Sequence, residues 1–170
     1  MRAGFTVPPL SKQKIAEAAS LVRDRLRPLM GDNSYVPIDK VYEMLHLVLP
    51  NFNFEVCEHS EMGGDHGQTF PEKRLIKLRS DVYDGMCSGS GRDRFTAAHE
   101  LGHLFLHSQA GFARAADNTT PAYMNSEWQA DTFASHLLMD QQALTQCKSV
   151  EEIRSRFGVS QAAARVRFQK

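Results

Sequence analysis

Phe95, Ala97, Ala98, Leu101, Leu104 and Phe105 make one short stretch of the chain almost wholly apolar, and His99, Glu100 and His103 are set into it. A helix with apolar residues on so much of its surface belongs inside a domain. Imidazoles and a carboxylate carried into such an interior need partners, because an unpaired polar or charged group is costly there. Whatever this chain folds into must therefore wrap a core around this helix and bring satisfying groups to it.

The spacing says what those groups could share. His99 and His103 are four apart, so on a helix they stand one above the other on the same face, where both can hold one ion. His99-Glu100-Leu101-Gly102-His103 is the H-E-x-x-H pattern of zinc-activated hydrolases, in which the glutamate takes a proton from water as general base. A bound zinc ion makes water acidic enough for this at neutral pH. Arg92, Asp93 and Arg94 precede the apolar run and Ser88-Gly89-Ser90-Gly91 precedes them, which predicts a flexible loop and a helix start near Asp93. The bare pentapeptide also turns up in unrelated solvated helices, so the rest of a site has to be found elsewhere.

A catalytic zinc site takes three protein ligands and keeps one position open. Glu127 is the candidate for the third ligand. Ser126 with Gln129 forms a capping-box pattern that predicts a second helix, continued by Phe133, Ala134, Leu137 and Leu138. Asp131 stands one turn beyond Glu127 and can accept the outer N–H of a ligating histidine. The pair resembles the E-x-x-x-D of thermolysin-like gluzincins. The structural alternative is that the helix dipole favours Glu127 in a first turn, with Asp131 solvated or paired with an arginine.

His107 repeats the four-residue spacing once more, but eight residues along the helix it has drifted about 80° from the stripe. Its reading is a helix-end residue favoured by the dipole. The metzincin pattern fails, since Leu106 and Gln109 stand where it wants glycine and histidine. His59, His66 and His136 fall outside the constellation. An oxyanion-stabilising group has no clear candidate beyond Tyr123 and His136.

With 170 residues, 42% hydrophobic and 24% charged, the chain is long enough for one well-buried domain. Twenty acidic and twenty basic residues cancel, which removes any global case for binding nucleic acid or an anionic membrane. Cys57, Cys87 and Cys147 are odd in number and lack a C-x-x-C pair, so neither a disulfide framework nor a thiolate zinc site is expected, and a reducing cytoplasmic location fits. The first thirty residues carry Lys12, Lys14, Glu17, Arg23 and Asp24, which rules out a signal-peptide core there, and no stretch is long and apolar enough to span a membrane.

The organisation expected is α+β: a mostly helical zincin-like core with a small three-stranded sheet and a C-terminal helical hairpin. Residues 1–10, with Pro8-Pro9, read as an extended lead-in. A first helix follows from a Ser11 cap, with Ile15, Ala18, Ala19, Val22, Leu26 and Leu29 on one side, and ends near Pro28. A second opens at Val36-Pro37-Ile38-Asp39 and is closed by Pro50. Phe52, Phe54 and Val56 alternate as a strand does, Gly63-Gly64 is a turn, and strands follow at Gln68-Thr69-Phe70 and Lys73 to Arg79. A polar loop from Ala110 to Pro121 is a candidate rim for the cleft.

Ser149-Val150-Glu151-Glu152 caps a helix that Gly158 ends, and Ser160 caps a last one. This division places a metallopeptidase domain at 1–145 and a hairpin at 146–170. Arg154, Arg156, Arg165, Arg167 and Lys170 make the hairpin basic enough to allow a helix-turn-helix that contacts DNA, although the neutral total charge disfavours it and a docking hairpin is the simpler reading.

An ordered set of segments resembles one family. It comprises Val36-Pro37-Ile38-Asp39; Gly67-Gln68-Thr69 with Leu75-Ile76-Lys77-Leu78; Arg92 to Ala98 running into His99–His107; and Glu127-Trp128-Gln129-Ala130-Asp131-Thr132-Phe133-Ala134 with Leu137-Leu138-Met139. On these the chain is similar to the ImmA/IrrE family of zinc metallopeptidases. The resemblance implies a gluzincin-like core, His99, His103 and Glu127 as ligands of Zn²⁺ with Mn²⁺ as the alternative metal, Glu100 as base, and a helix-turn-helix repressor as the protein substrate. A non-cleaving, metal-stabilised regulator or toxin–antitoxin component that binds a partner is the competing expectation. Asp140 and Asp131 depart from the family's usual Pro and Asn at those positions.

Overall fold

The structure is a computed structural model, and it describes residues 4–31, 33–108, 116–117 and 119–169. Most of the predicted rim loop, together with Lys170, lies outside the described residues, as does the Leu29 side chain. The fold is α+β. Helix α1 (Lys12–Met30) starts at Ser11, whose hydroxyl accepts from the Lys14 N–H. It passes through Pro28 instead of ending there and closes at Gly31, which sits at φ 68° and returns its N–H to Arg27.

Helix α2 (Ile38–Met44) is shorter than the pattern up to Pro50 suggests, because a 3₁₀ turn at Leu45–Leu47 takes over. The sheet follows: β1 (Asn53–Cys57), β2 (Gly67–Phe70) and β3 (Leu75–Arg79), in the order β1-β3-β2. The central strand β3 pairs parallel with β1 and antiparallel with β2. It buries Ile76 and Leu78, whereas Val56 on the edge strand β1 faces out. The alternation read from Phe52 through Val56 therefore holds for its first two aromatics only, which pack edge-on against Tyr42.

The one-turn helix α3 (His59–Met62) joins β1 to β2, and α4 (Ser80–Cys87), unforeseen in sequence, leads from β3 to the motif helix α5 (Gly91–Leu106). Ser90 caps α5, which therefore begins at Gly91, two residues before the expected start. Gly91 is dictated by packing: a Cβ there would lie 2.5 Å from the Ser160 backbone nitrogen.

Helix α6 (Ser126–Leu138) lies against α5 at Gly102, where a Cβ would come 3.0 Å from the Cα and carbonyl oxygen of Ala130. The residue between the two motif histidines thus lets α6 approach, and Glu127 stands one turn before that contact. The cap of α6 is Asn125, not Ser126: its side-chain oxygen accepts from the N–H groups of Glu127 and Trp128. Both residues suit a cap, and sequence alone placed it one position late.

Helices α7 (Gln141–Leu144), α8 (Val150–Phe157) and α9 (Gln161–Phe168) complete the described chain. Asp140 caps α7 through the Ala143 N–H, so this departure from the family's proline supplies a different start signal at the same place. Gly158 turns α8 into α9 at φ 61°.

Arg94 anchors this C-terminal hairpin. Its side chain is fully buried and donates to the carbonyls of Gly158, Val36 and Phe157 at 2.9, 3.0 and 3.1 Å and to the Tyr35 hydroxyl. A guanidinium has five N–H donors, and the interior tolerates it because four of them are met by these bonds. Arg167 is also turned inward, onto Met139 O and Gln141, and Arg156 reaches Ser34 and Gln146.

Candidate metal centre

The contact at Gly102 brings the side chains of His99, His103 and Glu127 together. His99 Nε2 lies 3.0 Å from His103 Nε2 and 3.4 Å from Glu127 Oε2, and His103 Nε2 lies 3.3 Å from Glu127 Oε1. Among the described residues these three form the one group of histidine, cysteine and acidic side chains able to hold an ion.

The hydrogen-bond network decides which ring nitrogens carry protons. Asp131 Oδ1 sits 2.8 Å from His99 Nδ1, and an ionised carboxylate can only accept, so that nitrogen is N–H and Nε2 is the one left to bind a cation, metal or proton. On the other side, the Gln129 amide donates to the carbonyls of Pro8 and Tyr123, at 2.9 and 2.8 Å. Its oxygen must then accept from His107 Nε2, 3.1 Å away. His107 Nδ1 is left as an acceptor and takes the proton of His103 Nδ1 at 3.0 Å. His103 therefore also turns a bare Nε2 toward the cluster.

Two imidazole Nε2 atoms 3.0 Å apart beside a carboxylate are held together by a shared cation, either a metal ion or a proton. Tetrahedral zinc with bonds of about 2.0–2.1 Å sets its ligand atoms roughly 3.3 Å apart, so the donor set fits that ion in type and in spacing. In the absence of metal the proton is the available cation. Burial works against a charge on His99, but the hydrogen bonds of Asp131 and Glu127 outweigh it and raise its pKa to about 9. Burial likewise opposes charge on Glu127, yet His103 and His99 hold its carboxyl well below the usual carboxylate range. Burial, and then the nearby His103, push His107 down to about 4. His107 does end α5 as its C-cap, as the sequence reading expects, but it is buried and serves there as a hydrogen-bond bridge and not as a charge answering the dipole.

Glu100 is 2% exposed, and its Oε2 accepts from the Thr69 hydroxyl at 2.6 Å. The backbone of β2 presses on it: a Cβ on Gly67 would fall 2.7 Å from Glu100 Cγ and Oε1. Glu100, His103 and Glu127 line one cleft of about 710 Å³ with Gln68 and Thr69 of β2 and Phe5 of the lead-in. Tyr123 and His136 are not among the described residues that line it, and His136 instead borders a separate cavity of about 460 Å³ beside α9. His59 and His66 are likewise absent from its lining.

Sequence reasoning placed His99, Glu100, His103, Glu127 and Asp131 in one site, and the fold brings all five together. It missed Gln129, Thr69 and Gly67, whose roles depend on contacts between distant segments.

Residues 86–169, about half of the chain, match the family model of M78 peptidases, described as an IrrE N-terminal-like domain. The chain belongs to the ImmA/IrrE family. The matched stretch runs from the end of α4 to the end of α9 and holds all three candidate ligands; the sheet and the lead-in lie outside it. No curated protein sequence matches the chain. Among solved structures it is similar to a Mycobacterium tuberculosis transcriptional regulator, with a TM-score of 0.53 and 11% identity over 92% of this chain and 50% of that one. This chain therefore spans half the length of that regulator, and at such identity the likeness is one of fold. Among the described residues no helix is long and apolar enough to cross a membrane.

Proposed function

We propose that this ImmA/IrrE protein is a zinc-dependent endopeptidase, with His99, His103 and Glu127 as metal ligands, Glu100 as general base and Asp131 as the group that orients His99. The observation that carries this reading is the convergence of His99 Nε2, His103 Nε2 and the Glu127 carboxylate within 3.4 Å of one another, with the far nitrogen of each ring tied to Asp131 or His107. Zinc is the metal that the two imidazoles and one carboxylate suit best, with Mn²⁺ as the alternative. When bound, the ion supplies a Lewis acid that polarises the scissile carbonyl and acidifies water.

The chain's own residues supply the rest. Glu100 takes the proton of the attacking water and passes it to the amide nitrogen as the peptide bond breaks. Thr69 holds the carboxylate that does this, and Gly67 leaves it room. Strand β2 is a sheet edge beside the cleft, and an extended peptide can add to such an edge by backbone hydrogen bonds. That favours a flexible segment of a protein as substrate.

Family membership supports a helix-turn-helix repressor as that protein, and the likeness in fold to a transcriptional regulator agrees with a regulatory setting. The inward-turned Arg167 and the engaged Arg156 leave the hairpin fewer cations for phosphates, which favours docking over DNA reading.

The test is Glu100→Gln, assayed with a helix-turn-helix repressor encoded beside the chain. Loss of cleavage with full metal content supports the mechanism. Undiminished cleavage refutes Glu100 as base, and a parent protein that controls the repressor without cutting it points to the non-cleaving, partner-binding alternative.

A further inference from the structure

The extended lead-in is built into the metal centre. Thr6 bridges antiparallel to Asn125; Phe5 N–H donates to Ser126 Oγ at 2.9 Å, and Ser126 N–H returns to Phe5 O at 3.0 Å. Val7 N–H reaches Met124 O at 2.9 Å and Leu10 N–H reaches Tyr123 O at 3.0 Å. These bonds lay residues 4–10 across the start of α6, where Glu127 sits in the first turn.

Two lines of contact run from this strap to the ligands. At one end, a Cβ on Gly4 would lie 2.8 Å from Glu127 Cγ and from Asn125 Oδ1, and 2.9 Å from Ser126 Oγ, so the strap backbone rests on the stem of the carboxylate and on the cap of its helix. At the other, Pro8 O shares with Tyr123 O the two protons of the Gln129 amide, which together turn its oxygen to accept from His107, and His107 in turn accepts from His103. The strap lies outside the stretch that matches the family.

We infer that residues Gly4–Leu10 are positioning residues for the metal centre: they hold Glu127 in place directly and fix the proton on His103 through Gln129 and His107. The inference rests on the metal-site reading proposed above. Groups that orient ligands from outside the coordination sphere typically change metal affinity about 10–100-fold when altered.

The experiment measures zinc affinity of the full chain by competition with a chromophoric chelator, for the parent, Gly4→Ala and Gln129→Met. Circular dichroism in excess chelator confirms that each is folded. Gly4→Ala crowds the Glu127 arm and Gln129→Met unlocks the His103 arm. Phe5→Pro, which deletes the donor to Ser126 Oγ, stands in for Gly4→Ala should that variant misfold. Both arms are expected to bind zinc at least about tenfold more weakly than the parent. Affinity indistinguishable from the parent's in a folded variant of either arm overturns the inference while leaving the metal site intact. A parent that takes up no zinc overturns the proposed function and this inference with it.

Discussion

Replacing Arg94 by methionine tests the packing on which the site's scaffold depends. The change keeps most of the side chain's bulk and removes the guanidinium, leaving the carbonyls of Gly158, Val36 and Phe157 without their donor and the Tyr35 ring without the cation 3.9 Å from its centre. Three stranded acceptors at about 1 kcal/mol each, with about 1 kcal/mol for the stacked cation, make a gross loss of roughly 4 kcal/mol. Burial already taxes this charge, pulling the Arg94 pKa down, so its removal returns part of that cost. A net loss of about 2–4 kcal/mol results, which for a chain of this size lowers the melting temperature by roughly 5–15 °C. Lysine offers one compact ammonium in place of a planar fork, so Arg94→Lys recovers only part of the loss. The assay is urea unfolding followed by circular dichroism, with all proteins at the same metal load. A methionine variant within about 0.5 kcal/mol of the parent, the scatter of harmless surface changes, would refute the idea that this guanidinium ties α5, Val36 and the C-terminal hairpin together.

Four further outcomes follow from the site. Because His99 titrates at about 9 without metal, it is protonated at neutral pH, and zinc binding there should release at least one proton, seen as a buffer-dependent heat in calorimetry. The same raised pKa, against an ordinary 6.5, stabilises the metal-free fold below pH 6.5 and loses that contribution as pH rises through 9; the metal-free melting temperature should fall across this window more than that of the zinc-loaded protein. Asp131→Ala should weaken zinc binding about 10–100-fold, whereas Asp131→Asn keeps an acceptor for His99 Nδ1 and should lose far less in the same chelator competition. Gly67→Ala should push Glu100 aside, lowering kcat with zinc content unchanged, as kinetics paired with metal analysis will report.

The parts of this site that could be read from sequence are those set by spacing along one helix. The four-residue intervals His99–His103 and Glu127–Asp131 carry their own geometry, and Ser11, Ser149 and Ser160 each cap the helix expected of them. What escaped depends on segments far apart in the chain. Nothing near Gln129 announces that its amide will meet Pro8, 121 residues away, and with Tyr123 settle the proton on His103 by way of His107. Arg94 sits between charged and apolar residues and reads as the rim of a helix, because the carbonyls that bury it come from Val36, Phe157 and Gly158. Extended residues before a first helix carry no periodicity, so the lead-in showed no sign that it would lie across α6.

X-ray absorption at the zinc edge, on protein purified without chelators and checked for metal content, tests the central claim most directly. The predicted result is one zinc per chain with only nitrogen and oxygen donors, two of them showing imidazole scattering. Substoichiometric metal, or sulfur from Cys57, Cys87 or Cys147 in the first coordination sphere, would contradict it.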